Sequence, residues 1–384
     1  MPIEPHRCKI CTSASLIEIP EYRSLPRVTS DCVAFRSGGR LLVCPACGAT
    51  QSPSDEQWFE EIREIYSDYH AYHQASGVEQ HVIDPLSGEL RRRSEVLVDG
   101  LLGLPGVPRS GKVLDVGCGT GATLRSFSER GGWRLYGQEM DRKNIHFLTA
   151  LAGFESLYTD SPAGLPGQFD LITMVHALEH FPEPAETLRG LRSKIAPGGR
   201  IFVEVPNAEA NTFDYVIADH MMHFTRETLA AVATRAGFAI DCLSTVWVTK
   251  ELSLTARPGP AEGRDYHPNA ALGAVDRVRA QVDWLRRFVD ASRQASATSA
   301  AFGLFGTSIA ATWLAGVLGD VVSFFVEEDP NRVGRLYLGS PVISPQEVKP
   351  GSVVYLALTP PIAAQVALRL RATIADLRLP PPIN

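Results

Sequence analysis

The chain has 384 residues, 45% of them hydrophobic, with 37 Lys+Arg against 43 Asp+Glu and a formal net charge of −6. That length suffices for two or three domains with cores of their own. Mild acidity and the lack of a long basic run argue against a nucleic-acid partner. Seven cysteines are an odd number, and four of them pair as Cys-x-x-Cys. This pattern favours metal over disulfides and a reducing, cytoplasmic setting. Met1-Pro2-Ile3-Glu4 offers no basic or apolar leader, so no signal peptide is expected.

Residues 1–55 are turn-rich and hold Cys8-x-x-Cys11 and Cys44-x-x-Cys47. Each knuckle can give two thiolates to a tetrahedral Zn²⁺, and structural zinc is favoured over redox work. The long insert 12–43 is expected to hold strands. Cys32 has no partner motif, and Cys118 and Cys242 look like small buried residues. Residues 56–105 read as a helical link with a tyrosine-rich piece, Tyr66 to His73. In it the triplet Arg91-Arg92-Arg93 reads as a solvated helix face.

Residues 106–255 alternate strand and helix patterns, the signature of a doubly wound parallel α/β sheet. The apolar run Val113-Leu114-Asp115-Val116 predicts a buried strand, followed by Gly117-Cys118-Gly119-Thr120-Gly121 and a helix from Ala122. A strand, a glycine turn and a helix N-terminus converge main-chain N–H groups on one point, which suits a nucleotide or a carboxylate. The G-x-G-x-G spacing with Asp115 ahead of it resembles motif I of class I S-adenosylmethionine-dependent methyltransferases. That resemblance implies a Rossmann-like core with the cofactor at Asp115, Gly117, Cys118, Gly119 and Gly121.

Trp133 to Gly137 is the expected second strand, ending at Gln138-Glu139. Glu139 lies about 20 residues past the glycine loop, where an acid accepts both ribose hydroxyls. A third strand is expected over 154–159, leading to Asp160-Ser161-Pro162 beside the adenine, and a fourth over Phe169–Val175. The letters His176-Ala177-Leu178-Glu179-His180 fit H-x-x-E-H, a zinc-peptidase pattern that needs a long helix. Strand-like residues before it and Phe181-Pro182-Glu183-Pro184 after it leave no room for one. The resemblance to the methyltransferases implies instead that this segment, ending the fourth strand, faces the methyl donor, with His176 and Glu179 near the cofactor and Glu179 and His180 by cofactor or acceptor. Ile195–Arg200 is expected to turn into a fifth strand, 201–205.

Methyl transfer asks the protein to align two reactants and take a proton from the acceptor. Histidine titrates near neutrality and is the natural base. His180 and, after the fifth strand, Asp219-His220 and His223 supply candidates.

A Pro/Gly linker leads from 256 into a helix around 270–294, with Val275, Val278, Val282, Leu285 and Val289 along one side. Ala295–Gly319 carries no charge and is long enough for a bilayer, yet its glycines and Ser/Thr favour a soluble strand-turn-helix. Residues 295–384 are expected to form a smaller Rossmann-like α/β domain. In it Phe302–Gly306 is a turn, Ile309–Leu318 a helix, Val321–Val326 and Ser352–Leu358 strands, and Ile362–Leu370 a last helix. This is half a nucleotide-binding fold, with a ligand and a purely architectural role both open.

The double Cys-x-x-Cys, the tyrosine-rich link, the glycine motif and the tail Phe325–Arg335 together resemble the three-domain, zinc-containing sugar C-methyltransferases of deoxysugar biosynthesis. The resemblance implies a nucleotide-linked keto-sugar as acceptor and an enolate formed by a base. It carries functional roles onto Tyr69 and Tyr72, onto His180 and onto Asp219-His220. Ile217 stands where the family has tyrosine, and Asp219 where it has glutamate. Methylation at oxygen, which needs only a base, is therefore kept beside methylation at carbon. His220 is the first candidate for the base and His180 the second, with Asp219 beside them and Tyr72 lining the acceptor site. The alternatives are an O-methyltransferase of a non-sugar molecule, a metal-dependent hydrolase using His176 and His180, and a non-catalytic nucleotide-binding module.

Overall fold

A computed structural model describes residues 7–69, 79, 81–83, 89–260, 271–298 and 301–383. Its centre is a seven-stranded sheet. In chain order the strands are β1 (Gly111–Val116), β2 (Trp133–Gln138), β3 (Phe154–Tyr158), β4 (Phe169–Val175), β5 (Ile195–Pro206), β6 (Phe238–Ser244) and β7 (Glu251–Pro258). They lie in the order β3-β2-β1-β4-β5-β7-β6, parallel except for β7, which runs antiparallel to both neighbours. The order reverses between β1 and β4, so the carboxyl ends of these two strands open a crevice for ligands. The apolar runs explain the sheet's interior: Val113, Leu114, Leu171, Ile172, Met174 and Val203 are all fully buried.

Two details depart from the expected pattern. The turn expected over Ile195–Arg200 is held within β5 as a bulge, Ile195 pairing with Phe169 and Arg200 with Leu171. Gly199 permits this, since a Cβ there would lie 2.8 Å from the Asp170 carbonyl oxygen. At the other end β7 runs past the expected core boundary to Pro258, because Ala256 still has a partner in Ile201.

The N-terminal module is a small antiparallel sheet in the order Ile17–Glu18, Leu42–Val43, Thr50–Gln51, Met222–His223. Its last strand comes from the segment between β5 and β6, so the module and the central domain share one sheet. The helix Glu56–Ser67 follows, capped by the Asp55 side chain on the Trp58 N–H at 2.9 Å. Trp58, Glu61 and Ile65 form its buried face. Glu61 is not a stray charge: Arg27 meets it through two parallel hydrogen bonds of 2.7 and 2.8 Å. This fork ties the helix, and with it Tyr66, to the module.

The arginine triplet is not a helix face. Arg91 and Arg92 lie on the strand Leu90–Arg92, which pairs with His81–Ile83, and Arg93 opens the helix Arg93–Gly103. The guanidinium of Arg93 pairs with the fully buried Glu204, so the triplet's last member is an internal counter-ion.

The C-terminal unit is a second sheet in the order Leu336–Tyr337, Ser340–Ile343, Val322–Val326, Phe302–Phe305, Val353–Leu356, Asp376–Arg378, parallel but for its first strand. Phe302–Phe305 is its central strand and not a turn. Gly303 is there for packing: a Cβ would sit 2.3 Å from the Phe324 ring. The charge-free stretch 295–319 thus divides among a helix end, this strand and the helix Ile309–Leu318. Among the described residues no helix is long and apolar enough to cross a membrane. The helix Ala274–Ser296 buries Val278, Val282, Leu285 and Val289 as its spacing predicts, and adds Trp284 and Phe288. Phe288 lies against Phe213, Trp313 and Tyr355, which joins the C-terminal unit to the segment carrying the histidines.

Candidate active site

The crevice starts at the glycine loop. Gly117, Gly119 and Gly121 have φ of 72°, 52° and 80°, a region that side chains with a Cβ rarely adopt. Two of them also answer to packing: a Cβ would meet Ala177 at 2.9 Å from Gly117 and Leu148 at 2.5 Å from Gly121. Asp115 is buried beneath the loop and accepts the Thr173 hydroxyl at 2.6 Å, linking β1 to β4. Burial pushes it up to about 7, with the Thr173 bond opposing and the Glu139 charge adding. Cys118 is buried as well, its sulfur packed against Gly137.

Glu139 sits at the carboxyl end of β2, facing the loop. One carboxylate oxygen takes the Gly119 N–H at 2.7 Å and the other the Met140 N–H at 2.9 Å. A carboxylate offers about four lone-pair positions, so two are left for hydroxyl donors such as a ribose diol. Asp160, exposed at the turn after β3, accepts Gln138 Nε2 at its main-chain oxygen, 3.2 Å. The donor set and the bare main chain of the loop fit S-adenosylmethionine.

Beyond β4 the chain turns sharply. His176 takes φ of 49°, unusual for a residue with a Cβ, and its N–H donates to the Glu204 carbonyl at 2.9 Å. A single 3-10 turn, Leu178–His180, then leads out, so no long helix carries the H-x-x-E-H letters. The His176 ring lies among carboxylates: Nδ1 is 3.3 Å from Glu179, and Nε2 is 3.4 Å from Glu251 and 3.6 Å from Glu204. Burial and Arg93 oppose charging His176, but Glu251 and Glu179 overcome them and raise it. Burial in turn pushes Glu251 up to about 7.

The acceptor side is built by three elements meeting. His180 Nδ1 lies 3.0 Å from the Asp219 carbonyl oxygen and 3.3 Å from its carboxylate, with the Tyr66 hydroxyl at 3.2 Å. Asp219 is fully buried and accepts the Ser30 N–H at 2.9 Å and the Ser30 hydroxyl at 2.5 Å. Burial opposes charge on His180, yet Asp219 holds it up at about 9, while Asp219 itself is held well below the usual carboxylate range. These are one interaction seen from its two ends. His220 stands edge-on to His180, ring centres 4.8 Å apart at 87°, with its Nδ1 2.8 Å from Asp214. His220 is 2% exposed, buried behind His180. Tyr72 lies outside the described residues, while Tyr69 reaches the Ser30 hydroxyl at 3.0 Å.

Sequence reasoning missed Asp214, Arg93, Ser30, Glu204 and Glu251. Arg93 sits in the arginine triplet and the others in no motif; Arg93, Ser30, Glu204 and Glu251 join the site through long-range pairing, and Asp214 through the fold of its own short segment. Tyr66 and His223 were in view, in the tyrosine-rich piece and the histidine-bearing segment, but nothing there showed their contacts.

The four module cysteines converge, with Cys8–Cys47 sulfurs 3.4 Å and Cys11–Cys44 sulfurs 3.5 Å apart, and all four within 4.8 Å. Metal–sulfur bonds of ~2.3 Å give a tetrahedron with edges of about 3.8 Å, so the cluster could hold Zn²⁺. Glu179, His180 and His220 also approach one another, as do His176, Glu204 and Glu251. In the second set the Arg93 guanidinium pairs with Glu204.

Comparison with known proteins agrees with the crevice. The sequence profile of the family described as "Methyltransferase domain" matches residues 89–243. Curated relatives include the ubiquinone biosynthesis O-methyltransferase of Vibrio parahaemolyticus, 29% identical over 43% of this chain and 67% of that one. The protein of the same name from Chromobacterium violaceum is 32% identical over 35% of this chain and 66% of that one. The chain spans about half to two thirds of the length of such relatives. Among solved structures, an S-adenosylmethionine dependent methyltransferase from Mesorhizobium loti aligns with 42% of this chain and 97% of that one, at 20% identity and a TM-score of 0.36. With the glycine loop, the acid at the end of β2 and the matched span all in one crevice, this chain carries a class I S-adenosylmethionine-dependent methyltransferase domain and is an enzyme of that kind.

Proposed function

We propose that the enzyme methylates a small polar acceptor of the saccharide or sugar-nucleotide class, with His220 removing the acceptor's proton. The observation that carries this reading is the pair of imidazoles set edge to face at 4.8 Å, each tied through Nδ1 to its own buried carboxylate. Bound S-adenosylmethionine supplies a methyl group already activated by its sulfonium. Glu139 grips the ribose, the glycine loop accommodates the amino-acid end, and Asp160 borders the adenine. His176 and Glu179, just beyond the end of β4, would border the bound donor. His180, held protonated by Asp219, attracts the oxygen that gains negative charge as His220 takes the proton.

Polar walls of Ser30, Tyr66 and Tyr69 support a polar acceptor. Methylation at oxygen is supported by the names of the relatives and by Ile217, which puts no phenol at its own position. One observation favours carbon instead: the Tyr66 hydroxyl, 3.2 Å from His180, brings a phenol to the site from another element. We propose further that the Cys8, Cys11, Cys44 and Cys47 cluster holds one structural Zn²⁺.

The test is incubation of the full chain with labelled methyl donor and a panel of sugar nucleotides, free saccharides and phenols, read by mass spectrometry. A labelled saccharide or sugar nucleotide is expected, and a label confined to phenols would replace the proposed acceptor class. His220→Asn is expected to lower turnover by about two orders of magnitude or more, with binding of S-adenosylhomocysteine kept. Unchanged turnover would remove His220 as the base.

A further inference from the structure

The segment Thr212–Val216 is buried along its whole length, and Asp214 within it is 1% exposed. Its carboxylate meets two imidazoles, one on each oxygen: His220 Nδ1 at 2.8 Å and His223 Nδ1 at 2.7 Å. Burial raises Asp214, but the two imidazoles overcome it and hold the group well below the usual carboxylate range. An ionised carboxylate only accepts hydrogen bonds, so both Nδ1 atoms must carry hydrogen. A neutral imidazole with hydrogen on Nδ1 has its lone pair on Nε2. The two rings then differ in where that nitrogen leads. His223 is 1% exposed, its ring lies 5.0 Å from that of Tyr215, and its Nε2 has no hydrogen-bond partner. His220 stands against His180 at the acceptor side.

We infer that Asp214 is a positioning residue for proton transfer: it fixes His220 in the tautomer whose Nε2 is basic and stays paired with the ring after the proton arrives. This rests on the reading of His220 as the base. The second imidazole gives the arrangement its rigidity. With each oxygen bound to a different ring, the carboxylate cannot rotate without breaking a hydrogen bond, so its orientation is set before the acceptor binds. His223, whose Nε2 faces no partner, is the anchor of this pair and not a route for protons to solvent. A carboxylate already aimed at the imidazole needs no reorganisation when charge appears there.

The experiment is a long-range proton–nitrogen correlation on the full chain with ¹⁵N-labelled histidine and S-adenosylhomocysteine bound. His220→Gln and His223→Gln assign the two rings. Both are expected with hydrogen on Nδ1 and a bare Nε2. In Asp214→Asn the amide offers one acceptor oxygen and one donor nitrogen, so one ring is expected to change tautomer. Turnover of that variant, on the acceptor found by the panel above, is expected to fall by about 10³–10⁴-fold with the KM for donor nearly unchanged. A wild-type His220 with hydrogen on Nε2, or a folded Asp214→Asn variant with turnover within tenfold of wild type, would overturn the inference. Failure of the base reading looks different: His220→Asn would remain active while the wild-type ring still showed hydrogen on Nδ1.

Discussion

The hydroxyl of Ser52 donates to the main-chain oxygen of His220 at 2.9 Å, tying the strand that leaves the second cysteine knuckle to the candidate base. It does not act alone. The Ser52 N–H donates to the Met221 oxygen at 2.9 Å, Thr50 and Gln51 pair with His223 and Met222, and the Ala218 N–H reaches the Val28 oxygen at 2.8 Å. Two stretches of the N-terminal module therefore clamp the segment that carries Asp219 and His220. The knuckle is closed on the same strand, since the Cys44 N–H donates to the Ala49 oxygen at 2.8 Å.

Metal removal should consequently impair catalysis although Cys8, Cys11, Cys44 and Cys47 are not among the residues proposed to meet the acceptor. One zinc per chain is expected by elemental analysis. Stripping it with a chelator should cut turnover by about 10²-fold, the usual result of displacing a reacting group by ~1 Å. Binding of S-adenosylhomocysteine by calorimetry should change far less, because the glycine loop and Glu139 belong to the core. Full turnover in metal-free protein would break the proposed link between cysteines and base. A second metal per chain would point to one of the carboxylate–histidine sets.

The His180–Asp219 pair makes stability depend on pH. Unfolded histidine titrates near 6.5, and the folded value is raised to about 9 with burial opposing and Asp219 overcoming it. The pair's contribution is then fully present below about 6.5 and fades as pH rises through about 9. Chemical denaturation between these limits should show falling stability in the wild type. The slope should flatten in His180→Gln, and turnover should decline over the same alkaline range. An unchanged slope in the variant would place the titration elsewhere.

Glu139→Ala should weaken S-adenosylhomocysteine binding by roughly 10–100-fold, the value of a charge-assisted hydrogen bond or two. It should leave the melting temperature nearly unaltered, since the side chain is only half-buried at the crevice and its two main-chain N–H partners can turn to water. Unchanged affinity would remove Glu139 from the ribose site.

Arg93→Met leaves Glu204 buried without its cation. Breaking a buried pair from one side costs about 3–5 kcal/mol. A clear drop in the denaturation midpoint is expected at neutral pH, partly recovered by adding Glu204→Gln. Additive losses in the double variant would show that the two groups do not act as a pair.

Gly303→Val tests the reassigned strand of the C-terminal unit. The added side chain must displace the Phe324 ring, which would lie 2.3 Å from its Cβ, and overpacking of this kind costs about 1–3 kcal/mol. A turn on the surface would tolerate the change with no shift in thermal melting.

The glycine loop, Glu139 and the core strands β1 to β5 were legible in the sequence because each depends on neighbours in the chain. Apolar runs with short polar breaks state where strands lie, and Gly117-Cys118-Gly119-Thr120-Gly121 states a turn that few other residues could make. The same local logic read Phe302–Gly306 as a turn, since two glycines among five residues look like a break; the Phe324 ring, over twenty residues away, makes one of them a packing requirement.

Sequence alone determined a strand, a glycine loop and a helix in succession and two pairs of thiols at knuckle spacing, because φ preference and thiol chemistry are properties of residues and short spacings. Only the folded chain decided how the histidines are charged and aimed. Asp214, in no motif, meets His220 inside one buried segment, and Ser30, 189 residues from Asp219, reaches it where Val28 bridges to Ile217. Electrostatics in a dry interior depends on distance in space, and distance along a chain does not report it.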